Sequence, residues 1–266
     1  MTDRTVRLDP HVHTDASHDA EGTVREVLAY GHNADVDAIA VTDHDTTVAA
    51  REALELQATY DVTVVPGVEV STAAGHVLAL GVRERPRVGR PLVDTVARIR
   101  RRGGLAVIPH PFQVSRHGVR KAAIDDCDGI EVFNAWAMTG IQNRRADAFA
   151  TRHGYPKLAG SDAHDPGTVG SACTEVSVGT ASPSVEELLD AVAAGRTRAV
   201  GQSTSTRRYV RKYTRTVRRR LRTGRRAAGT PAGDRTAAYH SDTRVSYNGS
   251  HTLYSAMLNR SVQSVY

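Results

Sequence analysis

The 266-residue chain has only two cysteines, Cys127 and Cys173. That count excludes a disulfide scaffold and a sulfur-rich zinc site, and both thiols are read as small buried hydrophobes. Aromatic residues are 5% of the chain, so Ala and Val must supply most of the core. No run approaches the roughly 18 apolar residues of a membrane span. Met1-Thr2-Asp3-Arg4 is not followed by an apolar stretch behind a basic patch, so no secretory signal is read and the cytoplasm is the expected compartment. Also missing are a Gly-x-Ser-x-Gly elbow, a phosphate-binding P-loop and a Gly-x-Gly-x-x-Gly turn.

The net charge of +6 is unevenly spread. Arg207 to Arg226 holds 11 Lys and Arg in 20 residues and no acid, whereas residues 1–206 hold 21 basic and 27 acidic residues. The bulk of the chain is therefore mildly acidic and, as a whole, does not attract nucleic acid. Val210, Tyr213, Val217 and Leu221 form one apolar stripe, which predicts a basic amphipathic helix over 207–226. Residues 227–266 read as a Gly/Ala/Arg/Pro-rich linker and a poorly ordered tail.

Over residues 1–206, short apolar runs alternate with helical stretches. Val6 to Leu8, Ala38 to Val41, Val62 to Val65, His76 to Leu80, Leu105 to Ile108, Ile130 to Phe133, Leu158 to Gly160 and Glu175 to Val178 read as strands, the third ending at Pro66-Gly67. Thr23-x-x-Glu26 and Ser184-x-x-Glu187 are capping boxes that open helices. Further helices are read from Thr47 to Gln57, Val93 to Arg102 and Ile141 to His153. Continuous apolar strands alternating with helices imply parallel pairing in an α/β fold, and about seven units suit a barrel better than an open sheet.

Nearly every strand end carries a metal-ligand side chain. His11 and His13 follow the first strand, Asp43 and His44 the second, Glu69 the third, His110 the fifth, and Asp162 and His164 the seventh; His76 opens the fourth. In an α/β barrel such ends converge at one mouth. His11 and His13 are two apart and project to the same side of an extended chain, and Asp162-Ala163-His164 repeats that spacing. Six histidines with Asp19, Glu69 and Asp162 make nine ligands. One zinc-like ion takes about three or four, so two or three divalent ions are implied, with Glu69 as the bridge. Mixed imidazole and carboxylate donors suit zinc, manganese or iron, with magnesium also admitted.

In order, His11-Val12-His13-Thr14, Thr42-Asp43-His44-Asp45, Gly67-Val68-Glu69-Val70-Ser71, His76-Val77-Leu78-Ala79-Leu80-Gly81, Pro109-His110-Pro111 and Gly160-Ser161-Asp162-Ala163-His164 resemble the PHP (polymerase and histidinol phosphatase) family over about residues 6–170, with an associated piece to about 206. The resemblance implies a distorted (β/α)7 TIM-like barrel, a trinuclear metal site and phosphoesterase activity. It assigns His11, His13, Glu69 and Asp162 to one ion, Asp19, His44 and His164 to a second, and Glu69, His76 and His110 to a third. The family often has Ser-Asp-Gly where this chain has Ser17-His18-Asp19-Ala20, so the ligand there is Asp19, the preferred reading, or His18.

The chemistry expected of such a site is hydrolysis of a small phosphorylated substrate, a phosphomonoester or nucleotide, by a hydroxide shared between metals. Asp43, Asp162 and His164 are the expected catalytic side chains, Asp43 by orienting a ligand or moving a proton, or else merely capping the next helix. Arg116, His117, Arg144 and Arg145 are candidate phosphate-gripping cations, and Glu131 and Asn134 candidates for the mouth. His32, His153, His240 and His251 match no motif. Two other functions fit the same ligands: a nuclease trimming nucleic-acid ends, with 207–226 on the phosphate backbone, and a non-catalytic metal-binding regulatory or polymerase-accessory module. The basic helix also suits anionic lipid as a peripheral contact.

Overall fold

The computed structural model describes residues 4–113, 116–137, 140–180 and 183–203. The basic helix expected over 207–226 and the tail over 227–266 lie outside the described residues, as does the boundary drawn at 206. Among the described residues, nine strands form one sheet: β1 (Arg4–Val12), β2 (Ala38–Val41), β3 (Thr63–Thr72), β4 (Gly75–Leu80), β5 (Leu105–Ile108), β6 (Gly129–Asn134), β7 (Lys157–Gly160), β8 (Ala172–Val178) and β9 (Thr197–Gly201). Five helices lie between them: α1 (Val24–Asn33), α2 (Val48–Tyr60), α3 (Leu92–Arg100), α4 (Gly140–His153) and α5 (Val185–Ala193). Both capping boxes form, at α1 and α5. No helix among the described residues is long and apolar enough to cross a membrane.

The strand order is β7-β6-β5-β4-β3-β2-β1-β8-β9. The sheet curls into a nearly closed α/β barrel, as expected, but not every pairing is parallel. β1, β2 and β3 run parallel, as do β5, β6 and β7, while β4 is antiparallel to both its neighbours. The third strand does not stop at Pro66-Gly67. It runs on to Thr72 and changes partner there, pairing with β2 as far as Pro66 and with β4 from Gly67. Space at Gly67 is tight, since a Cβ would stand 3.0 Å from Thr42 Cγ2 and 3.1 Å from the Ala79 carbonyl. Since β4 points the other way, its first residues face the mouth, which is why His76 opens its strand whereas the other ligand types follow theirs.

Strands β2 to β7 are largely buried on both faces. Ala38, Ala40, Val65, Leu78, Leu80, Val107 and Leu158 meet inside with Leu188, Leu189 and Val192 of α5. Ile39, Val41 and Val64 pack outward on Val27 and Leu28 of α1 and Ala50 and Ala53 of α2. On β1, Val6 and Leu8 join the inner group and Val12 the outer one, although all three are even-numbered. The cause is a register shift between Asp9 and Val12, where three steps along β1 match two along β2. One extra residue reverses the side-chain alternation and turns His11 and His13 inward.

Closure takes side-chain as well as backbone contacts. Ala159 N–H of β7 donates to Thr174 Oγ1 of β8 at 2.9 Å, and that hydroxyl donates back to the Ala159 carbonyl at 3.0 Å. Just above, His13 N–H donates to the Ala163 carbonyl at 2.9 Å and Ala163 N–H to the His11 carbonyl at 3.3 Å, a short parallel bridge between the ends of β1 and β7.

Candidate metal centre

The barrel mouth brings all nine expected ligands together. His11, His13, Glu69, His76, His110, Asp162 and His164 are buried; Asp19 and His44 are half-buried. Four groups of three have donor atoms within 4.8 Å of one another: His11, His13 and Asp162; His13, His44 and His164; His44, Glu69 and His76; and His11, Glu69 and His110. Glu69 lies between the sets. Its Oε1 faces His76 Nδ1 at 2.8 Å and His110 Nε2 at 3.1 Å, and its Oε2 faces His44 Nδ1 at 3.0 Å and His11 and His13 Nε2 at 3.4 Å each. His76 and His110 share Glu69 as expected, but they fall into separate groups of three. Asp19 reaches His164 Nε2 at 3.0 Å and His44 Nε2 at 3.5 Å, while His18 is exposed with its ring 5.5 Å from that of His44. The geometry thus favours Asp19 over His18.

Three of the imidazoles are oriented by their own hydrogen bonds. Asp43 is buried, with Thr14 N–H and the Ser17 hydroxyl donating to its Oδ1 at 2.7 and 2.6 Å and the Thr14 hydroxyl to its Oδ2 at 2.8 Å. Ser17 has one proton, spent on Asp43, so its oxygen must accept from His13 Nδ1–H at 3.1 Å and from His44 N–H at 3.1 Å. His11 Nδ1–H donates to Glu131 Oε1 at 3.1 Å, and His164 Nδ1–H to the Asp162 carbonyl at 2.8 Å. Each ring therefore turns Nε2 into the cluster, the tautomer a cation requires. Asp43 does not cap α2, whose N-cap Thr47 makes no side-chain bond. It is a positioning residue for the loop that carries His13.

Asp162 and His164 converge by a route other than the extended spacing read from the sequence. Asp162 has φ 51°, in the left-handed region, so the backbone turns between the two side chains. That conformation costs on the order of 1–3 kcal/mol for a non-glycine residue and is held by the Ala163 bridge. Its Oδ2 accepts from Asn134 Nδ2 at 2.9 Å and from the Arg116 guanidinium, and Arg116 also donates to Asn134 Oδ1 at 3.1 Å. Asp162 Oδ1 is left facing His11 and His13 Nε2 at 3.5 Å each.

Those atoms test whether a cation fits. His11 Nε2, His13 Nε2, Glu69 Oε2 and Asp162 Oδ1 are separated along five of six edges by 3.1, 3.4, 3.4, 3.5 and 3.5 Å. A tetrahedron whose corners lie about 2.0–2.1 Å from its centre has edges of about 3.3–3.4 Å. Glu69 Oε2 and Asp162 Oδ1 are buried and make no hydrogen bond, an expensive arrangement for anionic oxygens unless a cation meets them. The donor set fits a tetrahedral divalent ion.

The electrostatics agree. Burial pushes the Glu69 carboxyl up, but His76, His44 and His11 hold it well below the usual carboxylate range. Asp162, also opposed by burial, is held well below by Arg116 and His11. Against its own burial, His44 is raised to about 9, chiefly by Glu69, and His11 is raised well above its usual value by Asp162, Glu131 and Glu69. His13 is pushed well below by burial and by its neighbour His164. At neutral pH, protons on His11 and His44 thus balance carboxylates that a metal would otherwise neutralise.

Of the four candidate cations, Arg116 reaches the cluster and His117 stacks on His76 with ring centroids 5.1 Å apart. Arg144 and Arg145 are exposed on α4. Glu131 does more than face the mouth: besides His11 it accepts His110 N–H at 2.7 Å and Asn134 Nδ2 at 2.9 Å. Gly160 makes room for it, since a Cβ there would stand 2.4 Å from Glu131 Oε1 and 2.8 Å from His11 Cβ. Asp9, which the sequence reading did not single out, is buried and pushed up to about 6 by burial; it accepts Ser161 N–H at 3.0 Å and Gly170 N–H at 2.9 Å. No motif marked Asp9 in the sequence, and only a carboxylate inside an apolar run hinted at a buried partner. Both cysteines are buried free thiols, as expected.

Residues 9–126 match the family described as PHP domain, and residues 140–197 the one described as PHP-associated. The chain is 31% identical over 152 residues to the uncharacterized protein MJ1587 of Methanocaldococcus jannaschii, covering 53% of this chain and 89% of that one. Its fold is similar to a two-domain protein of Bacteroides vulgatus described as containing a predicted PHP-like metal-dependent phosphoesterase, with TM-score 0.65 and 18% identity over 75% of this chain. The chain spans 66% of that protein's length, a little under two thirds. It is also similar to a Chromobacterium violaceum protein described as an amidohydrolase with bound sulfate and no metal, with TM-score 0.52 and 21% identity over 72% of this chain and 97% of that one. Motifs in order, barrel and donor cluster agree with the two matched regions: this chain belongs to the PHP family.

Proposed function

We propose that the chain is a metal-dependent phosphoesterase acting on a small phosphomonoester or nucleotide. The observation that carries this reading is the cage of four donor atoms with near-tetrahedral edges, two of them buried carboxylate oxygens that make no hydrogen bond. His11, His13, Glu69 and Asp162 would hold one ion, His44, His164 and Asp19 a second, and Glu69 with His76 and His110 a third. Zinc, manganese and iron suit these nitrogen and oxygen donors, and magnesium is admitted. When bound, divalent ions supply the positive charge that draws in a phosphate ester and lower the pKa of water for in-line hydrolysis.

The chain's own residues set the orientation. Asp43, through Ser17, fixes His13, and Glu131 fixes His11. Arg116 and Asn134 occupy one oxygen of Asp162 and leave the other for the cage. Arg116 is also the guanidinium best placed at the mouth to meet a phosphate oxygen. The test is hydrolysis of a chromogenic phosphomonoester by protein reconstituted with Mn²⁺, Zn²⁺ or Fe²⁺. Asp162→Ala is expected to bring turnover to background with unchanged circular dichroism. Full turnover in that variant, or metal uptake without hydrolysis of any phosphomonoester in a broad panel, overturns the reading.

A further inference from the structure

A second concentration of charge lies outside the barrel mouth. Residues 83–102 hold eight arginines and two acids, an excess hidden in the net negative balance of residues 1–206. Four of these arginines, Arg87 and Arg90 of the loop before α3 and Arg98 and Arg101 of the helix and its end, line a cleft of about 470 Å³ with Pro86, Asp94 and Thr95. Of the other four, Arg100 pairs with Asp126 and Asp128 and Arg102 lies 3.8 Å from Glu84, while Arg83 and Arg85 are exposed and make no ion pair among the described residues. The four cleft guanidiniums make no ion pair or hydrogen bond among the described residues. Four guanidiniums share the cleft with one carboxylate, Asp94, and a polyanion relieves the repulsion of the positive excess.

The cleft is joined to the mouth. Gly89 N–H donates to the Ser71 carbonyl at 2.7 Å, and Ala73 N–H to the Arg90 carbonyl at 2.9 Å. Ser71, near the end of β3, pairs with His76, and Ala73 lies in the β3–β4 turn, so both fall between Glu69 and His76 in the chain. The arginine loop is thus pinned to the hairpin that carries two of the metal-type donors.

We propose that this cleft binds the phosphate backbone of a single-stranded nucleic acid. Guanidinium forks match phosphodiester oxygens, and the concave shape suits a threaded chain better than a flat bilayer. This binding is separate from hydrolysis at the mouth and can stand or fall without it.

The experiment uses the full chain and a fluorescent oligothymidylate of about 20 nucleotides with blocked ends, titrated at several salt concentrations. Two double variants, Arg87→Gln/Arg90→Gln and Arg98→Gln/Arg101→Gln, change exposed residues, and circular dichroism checks their folds. Each is expected to weaken binding several-fold. Together they should weaken it at least about tenfold and reduce the slope of log K against log salt by about 2–3, at about 0.7 per lost phosphate contact. A parallel variant with glutamines in Arg207–Arg226 separates that segment's contribution. A slope that falls with the latter variant and not with the cleft variants overturns the proposal. So does cleft-dependent binding to vesicles of anionic phosphatidylglycerol with unchanged oligonucleotide binding, which would assign the cleft, with exposed Val88 and Val93 beside it, to lipid.

Discussion

His13 Nε2 stands 3.1 Å from His11 Nε2. Two lone pairs at that distance repel, so a proton or a metal ion must lie between the rings. His13 has its proton committed at Nδ1, and His11 is raised well above its ordinary value. In the absence of metal, His11 carries the proton.

Metal loading should therefore release protons. His44 is raised to about 9 and is protonated below that pH, His11 is raised well above its ordinary value, and both must give up a proton to act as ligands. Apparent metal affinity is expected to rise with pH from 6 towards about 9 and then level off. Isothermal titration in two buffers of different ionisation enthalpy checks this; equal heats in both would show that no proton leaves.

Glu131→Gln preserves shape and removes the charge that fixes His11. Such substitutions behind a metal-bound imidazole cost about 10–100-fold in metal affinity. Competition with a chromophoric chelator measures it, and an affinity within about twofold of the parent would show that Glu131 does not orient the ring.

Thr174→Val leaves the Ala159 N–H and carbonyl without their side-chain partner where β7 meets β8. The expected loss is about 2–4 kcal/mol in urea unfolding, largely restored by Thr174→Ser, which keeps the hydroxyl. Equal stability of Val and Ser variants would remove this stitch from the account of closure.

The buried thiols give the fold an alkaline limit. Burial pushes Cys127 up to about 12 from an ordinary 9.0, and Cys173 is raised as well. Below pH 9 both folded and unfolded chains keep the proton. Between 9 and 12 only the folded chain keeps it, so stability falls as pH rises through that window, by about 2 kcal/mol for one thiol near pH 10.5. Cys127→Ala should flatten this fall in denaturant titrations between about pH 8 and 10.5, and neither thiol should react with iodoacetamide until the chain unfolds.

The legible parts of the sequence were those where one local signal decides the outcome. Ala38–Val41 and Leu105–Ile108 appear at the read boundaries because a short apolar run buried on both faces has little alternative. The capping boxes Thr23–Glu26 and Ser184–Glu187 close as read because they are contained in one turn. The motif residues come together as a set, since strand ends of one barrel meet. What escaped depends on tertiary context. Pro66-Gly67 looks like a stop signal but marks a change of partner. The shift at Asp9–Val12 reverses an alternation that the sequence does not show to be broken. β9 is short and only partly covered, so no apolar run announces it. The arginines of 83–102 were averaged into an acidic domain, and only folding separates paired guanidiniums from the four around the cleft.

The bridge between the ends of β1 and β7 also governs when the centre can exist. Ser161 and His11 are 150 positions apart, yet their segments must touch before Asp162 faces the histidine pair. During synthesis, the paired imidazoles leave the ribosome long before the carboxylate that completes their cage. The four-donor cage is thus complete only in a finished barrel, and a truncated product ending before residue 160 would keep Glu69 as the only carboxylate opposite the Nε2 atoms of the histidine pair.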